Sequence, residues 1–155
     1  MKIPFVVWLL QGLPEAIGIA ALMYSVAGLG FPWRSILPVG VLFGVTFYLI
    51  RWLPISFGIH TLLNFLFTIV VFRKATSCSL ALAIRSGLAA LVTVVIADTV
   101  FLPLFVWASG LTFEEIYGNI WLRALSGWPN VLLLLLVATL ATKIHNKRLK
   151  KEPGV

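Results

Sequence analysis

Apolar residues fill this chain in five long runs, divided by short segments rich in Gly, Pro, Arg and Lys. The first run covers residues 4–27, where Gly28, Gly30 and Pro32 end it before Arg34. The second covers 35–52, and Pro54, Ser56 and Gly58 mark a tight reversal after it. The third reaches Phe72, ahead of the polar turn Arg73-Lys74-Ala75-Thr76-Ser77. The fourth runs from Leu80 to Trp107, apolar except for Arg85 and Asp98, and Pro103 is expected to kink or end its helix. The last covers 130–143 around the unbroken apolar stretch Val131–Leu136. About 20 apolar residues in a helix match the hydrocarbon thickness of a bilayer. The pattern therefore predicts an all-α integral membrane protein, a bundle of about five transmembrane helices. It forms one domain, 1–143, followed by a basic tail, 144–155.

The segment after Gly110 follows a different pattern. Thr112 and Glu115 have capping-box spacing, in which hydroxyl and carboxylate satisfy free N–H groups at a helix start. Phe113, Ile116, Tyr117, Ile120, Trp121, Ala124 and Leu125 then recur on one helical face, opposite Glu115, Asn119 and Arg123. This predicts a short amphipathic helix over 112–126, lying at the interface and separated from the last span by Gly127 and Pro129. The competing reading makes it the start of that span.

Composition supports lipid as the solvent. The 155 residues are 61% hydrophobic and 11% charged, with a mean hydropathy of +1.05, whereas a soluble domain carries roughly 25% charged residues. The net charge of +7 does not describe a nucleic-acid-binding face. Arg34, Arg73, Lys74, Lys143, Lys147, Arg148, Lys150 and Lys151 flank apolar runs, as the positive-inside rule expects of cytoplasmic ends. They place the C-terminus in the cytoplasm and, with five spans, the N-terminus outside an inner or plasma membrane. Lys2, Arg51 and Arg123 oppose the trend. Lys2 and Ser25-Val26-Ala27 loosely imitate a signal peptide, but Gln11, Pro14 and Glu15 interrupt its apolar region, so a retained span is expected. Cys78 is the only cysteine, so no internal disulfide and no multi-cysteine metal site can form. No metal or cofactor is expected.

Candidate chemistry resides in polar residues within or beside the apolar runs: Gln11, Glu15, Arg51, His60, Asn64, Asp98 and Arg123. A charge near a bilayer centre costs from about 3 to more than 10 kcal/mol, so such groups face a protein interior or an aqueous cavity. On the five-span topology these residues fall in the outer half or near the midplane. His60, Asn64 and Thr68 share one helical face, as do Gln11 and Glu15. Arg85 stands apart, about 20 Å along the helix from Asp98, and is expected to snorkel to the inner headgroups. The cluster either neutralises itself and specifies packing or forms an outward pocket for a small ligand or proton. Catalysis is not expected. H-E-x-x-H is absent, Ser56 and His60 have no orienting acid nearby, and Glu15 and Asp98 lie in no aspartyl signature.

Three segments carry a resemblance: Leu13-Pro14-Glu15, Arg51-Trp52-Leu53-Pro54-Ile55-Ser56-Phe57-Gly58-Ile59-His60-Thr61, and Arg123-Ala124-Leu125-Ser126-Gly127-Trp128-Pro129. Together with helix number and order, they make nearly the whole chain similar to the five-helix N-terminal membrane domain of certain bacterial sensor histidine kinases. The resemblance implies a sensor or regulatory module. No phosphoacceptor helix or ATP-binding segment precedes Val155, so kinase activity is not implied and a stand-alone input module is expected. Asp98 lies outside the three segments. The expectation is a non-enzymatic membrane sensor whose partners are the bilayer and a sensor kinase or other membrane subunit. The alternatives are a small transporter or substrate-binding subunit using Glu15 and Asp98, and a scaffold subunit. Oligomeric state is left open.

Overall fold

The computed structural model describes residues 4–54 and 57–151, and these form helices and turns with no strand among them. Five helices are long and apolar enough to cross a membrane. They are α1 (Phe5–Val26), α2 (Trp33–Ile50), α3 (Phe57–Thr76), α4 (Leu80–Ser109) and α6 (Ile120–Lys151). A sixth and short helix, α5 (Phe113–Gly118), precedes the last. Successive long helices reverse direction, giving the bundle an Arg51 end and a Lys74 end. Lys2, Ser56 and residues 152–155 lie outside the described residues, and with them part of the reversal expected at Pro54–Gly58.

The first helix is the centre of the bundle. Ala20 to Ser25 are buried without interruption, which a helix achieves only when neighbours surround it. It packs against α2, α4 and α6, while α3 lies across α2 and α4. Close approach depends on small residues. A Cβ on Gly40 would stand 2.7 Å from the Ile17 Cα, and one on Gly44 2.9 Å from Leu13 Cδ1. The indole Nε1 of Trp8 donates to the Gly44 carbonyl at 2.8 Å in the same seam. On α6, Ala124, Gly127, Val131, Leu134 and Ala138 are buried at alternating steps of three and four, the seam period of packed helices. At the Lys74 end the His145 ring covers Gly28, whose φ of 77° closes the α1–α2 turn.

Packing is uneven along the bundle. On α3 the buried residues are Thr68, Ile69 and Phe72, and none of residues 58–67 is buried. Nor is any of residues 98–109 on α4. Phe72 meets Tyr24 edge-on at 5.2 Å between ring centroids, anchoring α3 near the Lys74 end. The Arg51 end is therefore the open one.

Of the kink or end expected at Pro103 the end does not occur, and the break expected at Gly127 and Pro129 needs correction. Pro103 does not end α4, which continues to Ser109 and stops at Gly110, whose φ of 67° lets its N–H reach the Val106 carbonyl. Gly127 and Pro129 do not separate 112–126 from the last span either. The break falls at Asn119, which is extended (φ −108°, ψ 119°) and caps α6 by accepting from the Trp121 N–H at 2.9 Å. Residues 120–126 thus begin α6, and the helix preceding it is only Phe113–Gly118. Asn119, assigned from spacing to a polar helical face, instead uses its short side chain to satisfy backbone donors. Gly127 lies inside α6, where its missing side chain makes room for Gln11. The last helix also runs past Lys143 to Lys151, so the basic tail begins as helix.

The capping box forms as its spacing predicts. Glu115 accepts from the Thr112 N–H at 2.7 Å and its hydroxyl at 2.9 Å, while the Thr112 oxygen accepts from the Glu115 N–H at 3.3 Å. The Thr112 backbone and hydroxyl bonds hold the Glu115 carboxyl below its ordinary range. A lowered folded-state value means that the cap's contribution is complete above the ordinary carboxylate pKa of about 4.3. It is lost as pH falls through the lowered value. Hydrogen-exchange protection of 113–118, corrected for intrinsic rate, should be flat near neutrality and fall in acid. Glu115→Ala should abolish that fall, and protection unchanged in strong acid would contradict the assignment.

Candidate polar site at helix mid-length

Glu15 stands about 15 Å along α1 from Phe5, roughly halfway along the helix. The level is shared by Asp98 on α4 and Asn130 on α6, since Asn130 Nδ2 donates to Asp98 Oδ1. Glu15 lies within electrostatic range of Asp98 and Arg51, and Asp98 also feels Arg51. Four side chains from four helical segments therefore converge on one region. Glu15 is half-buried, Asp98 and Arg51 are exposed, and Asn130 retains only 4% exposure.

The cluster is not a set of closed ion pairs. Among the described residues no carboxylate oxygen lies within 4.0 Å of a basic nitrogen. Two carboxylates lie within electrostatic range of the Arg51 guanidinium without pairing with it. The Oδ1 of Asn130 is a buried acceptor without a partner. Such an atom usually costs about 1–3 kcal/mol. The donors here are Arg51 and the Asn130 amide nitrogen, one of whose two N–H groups is used by Asp98.

The other expected site residues take different places. Gln11 lies one turn from Glu15, toward the Arg51 end, and its side chain occupies the space a Cβ on Gly127 would need. Arg123 sits above the Tyr117 ring, 5.0 Å from its centroid, within electrostatic range of Arg51. It forms a rim to the cluster, held by an aromatic face rather than by an acid. His60 and Asn64 form a separate row on α3. His60 Nδ1 and Asn64 Oδ1 are buried without partners, and Thr68 donates to the Asn64 backbone carbonyl at 2.6 Å. No hydrogen bond joins either atom to Glu15 or Asp98. Arg85 is exposed, thirteen residues from Asp98, as expected.

Sequence reasoning missed Asn130, treating it only as the first residue of the last span. The signal was present: an amide three residues after Gly127 and four before Leu134 falls on the α6 seam. The Gly40-x-x-x-Gly44 spacing was passed over in the same way, as was Ser86, whose buried Oγ lacks a partner. Among the described residues no three His, Cys, Asp or Glu side chains come together as a metal site. No protein-family model, curated protein or solved structure matches this chain.

Proposed function

We propose that the chain is a non-enzymatic, multi-pass inner-membrane sensor or regulatory module that takes a proton or small cation at Glu15, Asp98 and Asn130. The basic residues of the Lys74 end orient it with the C-terminus in the cytoplasm and the N-terminus outside. In that orientation α5 lies along the outer interface and the loosely packed Arg51 end faces outward. The observation carrying the reading is two carboxylates within electrostatic range of Arg51, beside a buried, unpartnered acceptor. A proton or cation satisfies both, and its arrival changes the attraction between α1, α4 and α6. The similarity to sensor-kinase membrane domains supports the sensory role, with a sensor kinase or other membrane subunit receiving the signal. Differential affinity between two arrangements of the helices is what such a switch requires.

Transport is the second reading, favoured by carboxylates at mid-length rather than at a helix end. One experiment separates the two. The full chain is reconstituted in vesicles and labelled at Cys78, which lies at the Lys74 end, far from the cluster. Titration with acid or Na⁺ from the Arg51 side should shift the label's emission, and Glu15→Gln should flatten the response. Net accumulation of the ion inside the vesicles would instead favour transport. An emission that ignores both ions in the wild-type protein would sink the sensory proposal.

A further inference from the structure

The four described carboxylates, Glu15, Asp98, Glu114 and Glu115, all lie at mid-length or toward the Arg51 end. The Lys74 end has Arg34, Arg73, Lys74, Arg85, Lys143, Lys147 and Arg148, all exposed, and no described acid to balance them. No described side chain supplies their counter-ions. Two cavities lie among these cations. One opens between α3 and the start of α4, with Ile69, Val70 and Leu80 as apolar walls and Arg73, Lys74 and Ser77 at its rim. The second lies on the other flank of α3, between Pro38 and Leu42 of α2 and Val71, and it too is bordered by Lys74.

We propose that these paired grooves hold one anionic phospholipid of the cytoplasmic leaflet. Its phosphate would sit at Arg73 and Lys74, with one acyl chain on each flank of α3. The chemistry on each side of the boundary matches. Lys74 is common to both grooves, so a single headgroup reaches two apolar channels. Ser77 adds a hydroxyl donor at the rim, and Val70, Leu80 and Leu42 are exposed apolar surface of the kind that alkyl chains cover. Basic pockets between helices on the cytoplasmic side select anionic headgroups over zwitterionic ones by charge, at short range. Arg73 suits a phosphate by its planar fork, and Lys74 by its movable point charge. A consequence is that lipid fastens the end of α3 that is already packed, leaving the Arg51 end free to move.

This inference rests on the membrane reading, and the test keeps the two apart. The full chain is reconstituted in phosphatidylcholine vesicles with and without phosphatidylglycerol, extracted in mild detergent, and its retained lipid is weighed by native mass spectrometry. Wild type should be enriched in phosphatidylglycerol. Arg73→Gln with Lys74→Gln should lower that enrichment roughly tenfold or more. Lys147→Gln with Arg148→Gln removes the same charge elsewhere and should leave it within about twofold. Val70→Trp, which fills one groove and keeps every charge, should also release lipid. Equal losses in the two glutamine pairs would reduce the effect to diffuse electrostatics and overturn the proposal. So would displacement of the lipid by an equal concentration of inorganic phosphate, which would define an anion site without acyl recognition. Failure to enter either kind of vesicle would defeat the membrane reading and this inference together.

Discussion

Gly40→Ala prevents α1 and α2 from closing, and the protein loses much of its stability in detergent. The added Cβ would stand 2.7 Å from a backbone atom, the Cα of Ile17, with the Ile17 Cγ1 at 2.8 Å. A flexible side chain could swing away from such a contact, but a helix backbone cannot, so the two axes must separate along the seam. Overpacking of this sort costs about 1–3 kcal/mol, and separation would also strain the Trp8 bond to the Gly44 carbonyl. Gly118→Ala is the matched control, because a Cβ there meets nothing within 4 Å. Such a substitution should stay within about 0.5 kcal/mol. Thermal unfolding of the two variants in one detergent decides the matter. Equal Tm values would mean that the α1–α2 seam is more yielding than its geometry indicates.

Asp98→Leu has the second large effect, and it separates holding the bundle from holding an ion. Removing the carboxylate leaves the buried Asn130 amide with no partner at either end, which should cost about 1–3 kcal/mol. Asn130→Leu alone should be milder, since it removes an acceptor that is already unpartnered and leaves Asp98 exposed. The double variant should recover much of the stability lost in Asp98→Leu, giving a coupling of about 0.5–3 kcal/mol. The acid or Na⁺ response at Cys78 should not return with it. Stability restored without response identifies a site in which the polar groups serve a ligand. A double variant that responds like wild type would leave the cluster with a packing role only.

Much of the architecture was legible because apolar run length carries it. Five runs gave five long helices, and Thr112 with Glu115 gave the cap. Errors came where a residue type has two meanings. Gly127 and Pro129 usually interrupt helices in water, yet both lie inside α6 here. Freed carbonyls can be re-satisfied by neighbouring groups in a membrane-type bundle. Asn119 looked like one more polar face position and turned out to be the cap. The site was half legible. Glu15, Arg51 and Asp98 stood out as charges among apolar residues. Neither depth nor face alone shows that α3 carries His60 and Asn64 in a row apart from them, because that depends on which helices touch. Asn130 was hidden by its neutrality, since an uncharged amide does not interrupt an apolar run as a charge does.

The unbroken course of α6 puts Asn130 and the basic tail on one rod. From Asn130 to the end of α6 at Lys151 is 21 residues, or about 32 Å of axial rise, with no described joint on the way. A turn of α6 about its axis at the level of Asp98 therefore reaches Lys147 and Arg148 as the same turn. Whatever binds the tail would read angular phase. One residue inserted after Lys143 would rotate everything beyond it by about 100°, whereas seven would return it nearly to register.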